Sequence, residues 1–132
     1  MFPEKIQIEV RQDAPSVIFD KEKNIFEMSG RSFPADPDEF YQPLIQWLDA
    51  YKKSKPEKKM VFNFKLEYFN TASAKMLLDL FFKLEDINEA GTEVTIIWNY
   101  LDDDEDMFEA GEEFDDIVEI DFEFVEYSED DI

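Results

Sequence analysis

The chain has 132 residues, 44% of them apolar and 16% aromatic, which is enough for one folded domain with its own core. Its formal net charge is −21 at pH 7, and residues 101–132 contain no Lys or Arg. A negative field of this size repels phosphate backbones and anionic lipids, so we expect neither nucleic acid nor a membrane surface as a partner. The chain has no Cys and no His, which excludes disulfides, thiolate or imidazole metal ligands and a Ser-His-Asp triad.

Other absences narrow the function further. The three Gly residues, at positions 30, 91 and 111, lie too far apart to form a phosphate-binding loop or a dinucleotide-binding fingerprint. The chain has no apolar run of about 18 residues that could span a membrane, and its N-terminus lacks the basic-then-apolar order of a signal peptide. The lack of Cys also fits a cytoplasmic location. We therefore expect a cytoplasmic binding or regulatory protein without catalytic residues, cofactor or metal, rather than an enzyme.

The N-terminal third predicts extended structure. Ile6, Ile8 and Val10 alternate with polar residues, which predicts a short strand over residues 5–10. Two apolar runs, at residues 17–19 and 25–28, predict a hairpin around a polar turn in which Asn24 can adopt a positive φ. We expect the extended structure to end at Gly30 and Pro34.

Residues 36–53 predict the first helix. Asp36 is a candidate N-cap, and Pro37 suits the first helical position. Pro43 conflicts with a regular helix, because proline removes a hydrogen bond from a helix interior. The residues expected on the buried stripe are Phe40, Tyr41, Leu44, Ile45, Leu48 and Tyr51.

The middle of the chain predicts a strand followed by a second helix. Apolar residues alternate from Met60 to Leu66, as in a half-buried strand. A helix is predicted to follow this strand and to run to about residue 89, with Gly91 as its C-terminal stop signal. Three residues at its start are candidate N-caps: Asn70, Thr71 and Ser73. Leu78 and Phe82 lie off the helix's apolar stripe and are candidates for a contact surface. The stripe itself comprises Met76, Leu77, Leu80, Phe81, Leu84 and Ile87.

The C-terminal third predicts two strands around an acidic helix. Residues 94–98 read as a strand buried on both faces, and residues 102–114 as a short acidic helix. Residues 118–124 predict a strand with one apolar and one anionic face, as suits a sheet edge. Residues 128–132 predict a frayed acidic tail, and residues 1–14 a possible N-terminal strand extension. The order of elements predicts a single α/β domain over residues 1–132. Its mixed sheet would have four or five strands, packed with two main helices and one short acidic helix.

Thr71 is the residue whose position is most suggestive of chemistry. It lies between the end of a buried strand and the start of a helix, where free backbone amides and the helix dipole favour an anion. A phosphoryl group on Thr71 would add about −1.5 to −2 charges at a place able to hold them. The competing interpretation is that Thr71 only caps the helix.

The segment from Tyr68 to Lys75 resembles the strand-to-helix phosphosite of the SiaC family, which are bacterial regulatory phosphoproteins. That family is similar in fold to STAS-domain anti-sigma-factor antagonists. The resemblance covers residues 15–127. Phe33-Pro34 and residues 40–48 look like the family's first helix, and the second helix, Gly91, the strand at 94–100 and an acidic helix match in order.

The resemblance implies a switch rather than an active site. A dedicated kinase would phosphorylate Thr71, and a PP2C-type phosphatase would remove the group. The unphosphorylated form would bind and activate a diguanylate cyclase, raising cyclic di-GMP. The chain has no nucleotide-binding loop, so the kinase must act in trans. The candidate partner-binding residues are Tyr68, Phe69, Asn70, Ser73, Lys75 and Tyr100.

Other interpretations stay open at this point. The main alternative is an acidic STAS-like interaction module without phosphoregulation. Four acidic residues fit a calcium-loop template, but Met107 stands where that loop needs Gly; they are Asp102, Asp104, Asp106 and Glu113. A solvated acidic face is the preferred interpretation. The lysines between residues 52 and 59 are expected to be solvated, and Trp47 and Trp98 to lie in the core.

Overall fold

The structure, a computed structural model, describes residues 3–54 and 56–129. The elements in chain order are β1 (Ile6–Ile8), β2 (Ser16–Asp20), β3 (Ile25–Ser32), α1 (Pro37–Lys53), β4 (Lys59–Phe69), α2 (Thr71–Glu89), β5 (Glu93–Leu101), α3 (Glu105–Ile117) and β6 (Asp121–Tyr127).

The six strands form one mixed sheet in the order β1-β2-β3-β4-β5-β6. The first three strands pair antiparallel, and β3 to β6 pair parallel. Each parallel pair is joined by one helix, because two parallel strands need a crossover connection. The predicted α/β class with a mixed sheet is therefore confirmed. The sheet has six strands rather than four or five because β1 and β6 both pair at its edges.

One face of the sheet and the three helices enclose the core. Trp98 of β5 packs against Phe81 of α2 and Phe114 of α3, with ring centroids 6.3 and 5.8 Å apart. Trp47 of α1 packs on Phe19 of β2 at 5.2 Å. Both tryptophans are buried, as the sequence predicts.

The opposite face of the sheet carries no helix in the described part of the chain. Val94, Ile96 and Trp98 of β5 are buried, whereas Thr95 and Ile97 between them are only half-buried. The prediction that this strand is buried on both faces is therefore wrong. The protein has two layers, and its sheet alternates between a core face and an outer face.

The helix ends follow the signals in the sequence. The Asp36 side chain caps α1 by accepting a hydrogen bond from the Glu39 amide, and the helix continues through Pro43. At the end of α2, Gly91 has φ +120°. The amides of Gly91 and Thr92 there donate to the last carbonyls of the helix. This Schellman arrangement explains why α2 ends where a glycine permits the left-handed conformation.

Two N-terminal predictions need correction. The first strand covers only Ile6–Ile8, and Val10 is 59% exposed. Extended structure does not end at Gly30, since β3 runs on to Ser32. The hairpin between β2 and β3 is confirmed, with Asn24 at φ 55° in the turn.

The C-terminal elements begin later than predicted. The acidic helix starts at Glu105 rather than residue 102, because Asp104 caps it. The last strand starts at Asp121, so Val118 and Ile120 fill the core ahead of it instead of forming its first residues. β6 does lie at the sheet edge, as its acidic face indicates. Residues 130–132 of the predicted tail lie outside the described residues.

Candidate functional site

Thr71 is the first residue of α2 and follows the carboxyl end of β4. Open α/β sheets place functional groups at this edge, beyond the ends of their parallel strands. The Thr71 side chain is exposed, and its hydroxyl makes no hydrogen bond to any described residue. The hydroxyl is therefore accessible to another protein.

Asn70, and not Thr71, caps α2. The Asn70 Oδ1 atom accepts a hydrogen bond of 2.9 Å from the Ser73 amide, and the Asn70 carbonyl accepts the first helical bond from Ala74. The hypothesis that Thr71 serves only as a helix cap is thus wrong. Asn70, the residue before Thr71, occupies the cap position, so the Thr71 hydroxyl is not used in capping.

The start of α2 also differs electrostatically from the starts of the other helices. The first turn of α1 holds Asp38 and Glu39, and that of α3 holds Glu105 and Asp106, whereas α2 has no acidic residue there. Acidic side chains in a first turn compensate the positive end of the helix dipole. The positive end of α2 is left uncompensated in a chain of strongly negative net charge.

An outward stripe of α2 begins at Thr71. Lys75, Leu78 and Phe82 follow it at helical spacings of four, seven and eleven residues, so all four share one face. Lys75 is exposed, Leu78 is half-buried and Phe82 is 40% exposed. We call these four residues the α2 stripe. The structure thus joins the predicted acceptor to the two apolar residues that lie off the buried face of the helix.

Ser73 does not reach the surface. Its side chain is fully buried and accepts a hydrogen bond of 2.8 Å from Ser32, whose Oγ atom also lies 2.6 Å from the hydroxyl of Tyr41. The prediction that Ser73 contacts a partner is therefore wrong, because the helix turns this residue inward. Sequence reasoning did not find Ser32 or single out Tyr41 as a polar partner.

Consecutive strand residues point to opposite faces of a sheet, and an irregularity in β4 decides that Phe69 faces the core and Tyr68 the outer face. Gly30 pairs with Leu66 but Arg31 pairs with Tyr68, so β4 has one extra residue, Glu67, at this point. Bulges of this kind re-aim side chains near functional sites. Tyr68, 43% exposed, lies on the outer face with the Arg31 guanidinium 5.7 Å from its ring centroid.

Phe69 and Tyr100 are half-buried, so neither is exposed enough to be a main contact with a partner. Phe69 is half-buried against Trp98 and Phe114, with ring centroids 6.4 and 6.0 Å away. Tyr100 is half-buried against Phe108 of α3 at 5.0 Å. Both residues help to fix α3 on the sheet.

The acidic segment does not form the calcium loop that its spacing resembles. Residues 105–117 are helical, and the Asp104 carboxylate accepts a hydrogen bond from the Met107 amide as the cap of α3. Among residues 3–54 and 56–129, no cluster of acidic side chains is arranged to hold a metal ion. The same residues include no helix with the length and apolar character needed to cross a membrane.

Replacing Asn70 with Ala is expected to lower the free energy of unfolding by about 1 kcal/mol, because the Ser73 amide loses its acceptor. Replacing Thr71 with Ala should change it by less than about 0.5 kcal/mol, since that side chain is exposed and unbonded. Urea unfolding of the two variants beside wild type measures both values. Equal losses in the two variants would contradict the assignment of Asn70 as the cap.

The chain is similar to known proteins in both sequence and fold. Residues 8–127 match the family described as SiaC family regulatory phosphoprotein. The chain is also 27% identical over 103 residues to an uncharacterised protein of Pseudomonas aeruginosa strain UCBPP-PA14, covering 78% of this chain and 81% of that protein.

Solved structures of similar fold come from the same family. SiaC of Pseudomonas aeruginosa superimposes with a TM-score of 0.84 at 24% identity, covering 93% of this chain and 98% of that one. Apo-SiaC from the same organism superimposes with a TM-score of 0.82 at 25% identity, covering 92% of this chain and 98% of that one. A third structure shows SiaC of Pseudomonas aeruginosa in complex with the diguanylate cyclase SiaD and describes SiaC as its activator. It superimposes with a TM-score of 0.85 at 24% identity, covering 92% of this chain and 99% of that one. The chain belongs to the SiaC family of regulatory phosphoproteins.

Proposed function

We propose that this protein is a non-enzymatic switch in the cytoplasm that binds and activates a diguanylate cyclase while Thr71 is unphosphorylated. A kinase would add a phosphoryl group to Thr71 and so end the activation, and a PP2C-type phosphatase would restore it. Residues 1–132 would act as a single domain. The observation that carries the proposal is the exposed Thr71 hydroxyl, which is free of hydrogen bonds at the start of α2.

The proposed modification is a complete phosphoryl transfer. The Thr71 oxygen bonds to the γ-phosphorus of ATP, the bond from that phosphorus to the oxygen bridging to the β-phosphate breaks, and ADP leaves. The hydroxyl proton passes to a base of the kinase. The phosphatase reverses the state by hydrolysis, which returns the hydroxyl and releases inorganic phosphate.

The local charges support Thr71 as a place where a phosphate is tolerated and has a large effect. The amides of Thr71 and Ala72 precede the first helical hydrogen bond, and Lys75 lies one turn further along the same face. A doubly charged group can be held there without unfolding α2. The same group would force a docked partner to desolvate it, and any partner carboxylate nearby would be repelled.

The choice of a cyclase as partner is supported by the family. SiaC of Pseudomonas aeruginosa is described as the activator of the diguanylate cyclase SiaD, and its chain in that complex shares the fold of this protein. We propose that the α2 stripe and Asn70 at its start form the surface that meets the cyclase, and that Tyr68, exposed at the end of β4 on the outer face of the sheet, adds a contact at its border. Phe69 and Tyr100, which are half-buried, would contribute indirectly by fixing α3 on the sheet.

Phosphopeptide mapping tests the proposed switch. Wild type, Thr71→Ala and Thr95→Ala are incubated with ATP and a lysate of the native host, and intact mass is followed by peptide analysis. Thr95 lies half-buried in the middle of β5 and serves as the control threonine. We expect one added phosphoryl group on wild type and on Thr95→Ala, and none on Thr71→Ala.

The partner is tested with the same proteins as bait. Unphosphorylated wild type should retain a cyclase from the lysate that converts two molecules of GTP into cyclic di-GMP and two of pyrophosphate. The phosphorylated chain should not retain it. An active lysate that leaves Thr71 unmodified would favour the alternative function, an acidic interaction module without phosphoregulation.

Replacing Phe82 with Ala should weaken binding of the retained cyclase about tenfold while the fold stays intact, because Phe82 is an exposed aromatic residue on the α2 stripe. The matched control is Val125→Ala, since Val125 is 41% exposed but lies on β6. Isothermal titration of both variants gives the comparison. Equal affinities for the two variants would remove the α2 stripe from the proposed interface.

A further inference from the structure

Three fully buried hydroxyl groups lie behind Thr71 and join three different elements. Tyr41 belongs to α1, Ser32 ends β3, and Ser73 lies in the first turn of α2. Each has a relative exposure of 0%. The Ser32 Oγ atom lies 2.6 Å from the Tyr41 hydroxyl and 2.8 Å from the Ser73 Oγ atom, so it links the other two.

The hydrogen bonds form a directed chain. Ser32 donates its hydroxyl proton to Ser73, and Tyr41 therefore donates to Ser32. Burial raises the pKa of the Tyr41 phenol to about 12, so this group keeps its proton at neutral pH. Both hydrogen bonds of the chain, from Tyr41 to Ser32 and from Ser32 to Ser73, can therefore form at pH 7.

A second set of bonds connects the same residues through the backbone. The Asn70 amide donates to the Ser32 carbonyl at 3.1 Å, and the Asn70 side chain accepts from the Ser73 amide. Ser32 thus holds the start of α2 at two points, through its hydroxyl to Ser73 and through its carbonyl to Asn70. Thr71 lies between these two attached residues.

Packing alone does not require this polar chain. Tyr51 lies ten residues after Tyr41 on the same helix and is equally buried, yet its hydroxyl makes no hydrogen bond to another side chain among the described residues. A buried polar group is costly unless it is bonded, so a fully bonded network restricts its members to one arrangement. Tyr41 therefore belongs to a network of buried hydroxyl groups, and Tyr51 does not.

We propose that Tyr41, Ser32 and Ser73 are positioning residues that fix the first turn of α2 and thereby present the Thr71 hydroxyl to its kinase. This inference rests on the proposed function. Phosphoryl transfer needs the attacking oxygen in line with the γ-phosphorus, and a displacement of about 1 Å can cost about a hundredfold in rate. A residue in a first helical turn moves with that turn, so the network controls the acceptor without touching the kinase.

The test compares Tyr41→Phe with Tyr51→Phe. Both variants remove one buried phenolic oxygen from the same helix, but only the first breaks the network. With host lysate and ATP as the kinase source, we expect the rate of Thr71 phosphorylation at saturating protein to fall about tenfold in Tyr41→Phe. The concentration that gives half the maximal rate should stay within about twofold of wild type, because the surface that the kinase meets is unchanged.

Amide hydrogen exchange provides a readout that needs no kinase. Exchange of the Ser73 and Ala74 amides should be about tenfold faster in Tyr41→Phe than in wild type. It should be unchanged in Tyr51→Phe, and the amides in the middle of α2 should be unaffected in both. If Tyr41→Phe does not fold, Ser73→Ala replaces it, since that variant removes one acceptor and leaves the Tyr41–Ser32 bond in place.

The outcomes separate the two proposals. Phosphorylation of Tyr41→Phe at the wild-type rate, even with a lower melting temperature, would reduce the network to a structural role and overturn the inference alone. The same conclusion would follow if both Phe variants lost rate equally. A wild-type chain that an active lysate leaves unmodified would instead overturn the proposed function, and the positioning role with it.

Discussion

Thr71→Ala is expected to keep the protein permanently able to bind the proposed cyclase, because the substitution removes the hydroxyl that we propose as the phosphoryl acceptor. In cells of the native host, this variant should hold cyclic di-GMP at its high level under conditions in which the wild-type chain is phosphorylated. Because the Thr71 side chain is exposed and makes no hydrogen bond, we expect the substitution to leave the stability of the fold nearly unchanged. The effect on signalling is therefore separable from any effect on stability.

The phosphorylated wild-type chain should bind the cyclase at least about 100-fold more weakly than the unphosphorylated chain, which corresponds to about 2.7 kcal/mol. Titration of the cyclase with the two forms measures this ratio, and Thr95→Ala serves as the control that remains switchable. A Thr71→Ala protein that still responds to the host kinase would place the acceptor elsewhere. Equal affinities of the two forms would separate phosphorylation from cyclase binding.

Trp98→Ala should lower the free energy of unfolding by about 3–5 kcal/mol, the largest stability effect that we predict. The Trp98 ring contacts aromatic rings from β4, α2 and α3, and its Nε1–H donates to the Met107 carbonyl at 2.9 Å. A Cβ atom added at Gly111 would lie 2.5 Å from this ring, so α3 approaches it closely enough to require glycine. Chemical denaturation gives the value.

Ile97→Ala is the matched control for Trp98→Ala, because the two residues are neighbours on β5 but face opposite sides of the sheet. Ile97 is half-buried on the face that carries no helix in the described structure. Its truncation should cost about 1 kcal/mol, well below the cost of a buried aliphatic residue. A loss of 3 kcal/mol or more at Ile97 would mean that both faces of this strand are packed, as its sequence suggests.

The elements themselves follow from local patterns. Alternating apolar residues in β4 and a helical apolar stripe in α2 depend only on residues within one segment, as do Asp36 as a cap and Gly91 as a stop. Local propensity and periodicity therefore sufficed to predict the α/β class and most of the elements. Their ends were less accurate, as at residues 102 and 118, because packing partners decide where a helix or strand ends.

The candidate site was only partly predictable for a related reason. The segment from Tyr68 to Lys75 placed Thr71 at a helix start, which requires no knowledge of other elements. Which of three neighbouring polar residues caps that helix depends on backbone geometry, and the structure assigns Asn70. That Phe69 rather than Tyr68 faces the core depends on an extra residue in β4 opposite Gly30 and Arg31, whereas regular alternation from Leu66 would place Tyr68 there.

The sequence by itself determined the acidic character of this protein, its alternation of strands and helices, and the position of the hydroxyl that resembles a family phosphosite. Only the tertiary structure decided that the helices cover a single face of the sheet and that Ser73 turns inward. It alone also joined Ser32 to Tyr41 and Ser73, which are 9 and 41 residues away along the chain. Hydrogen bonds and burial between such distant residues arise from how layers pack, and local periodicity carries no record of that packing.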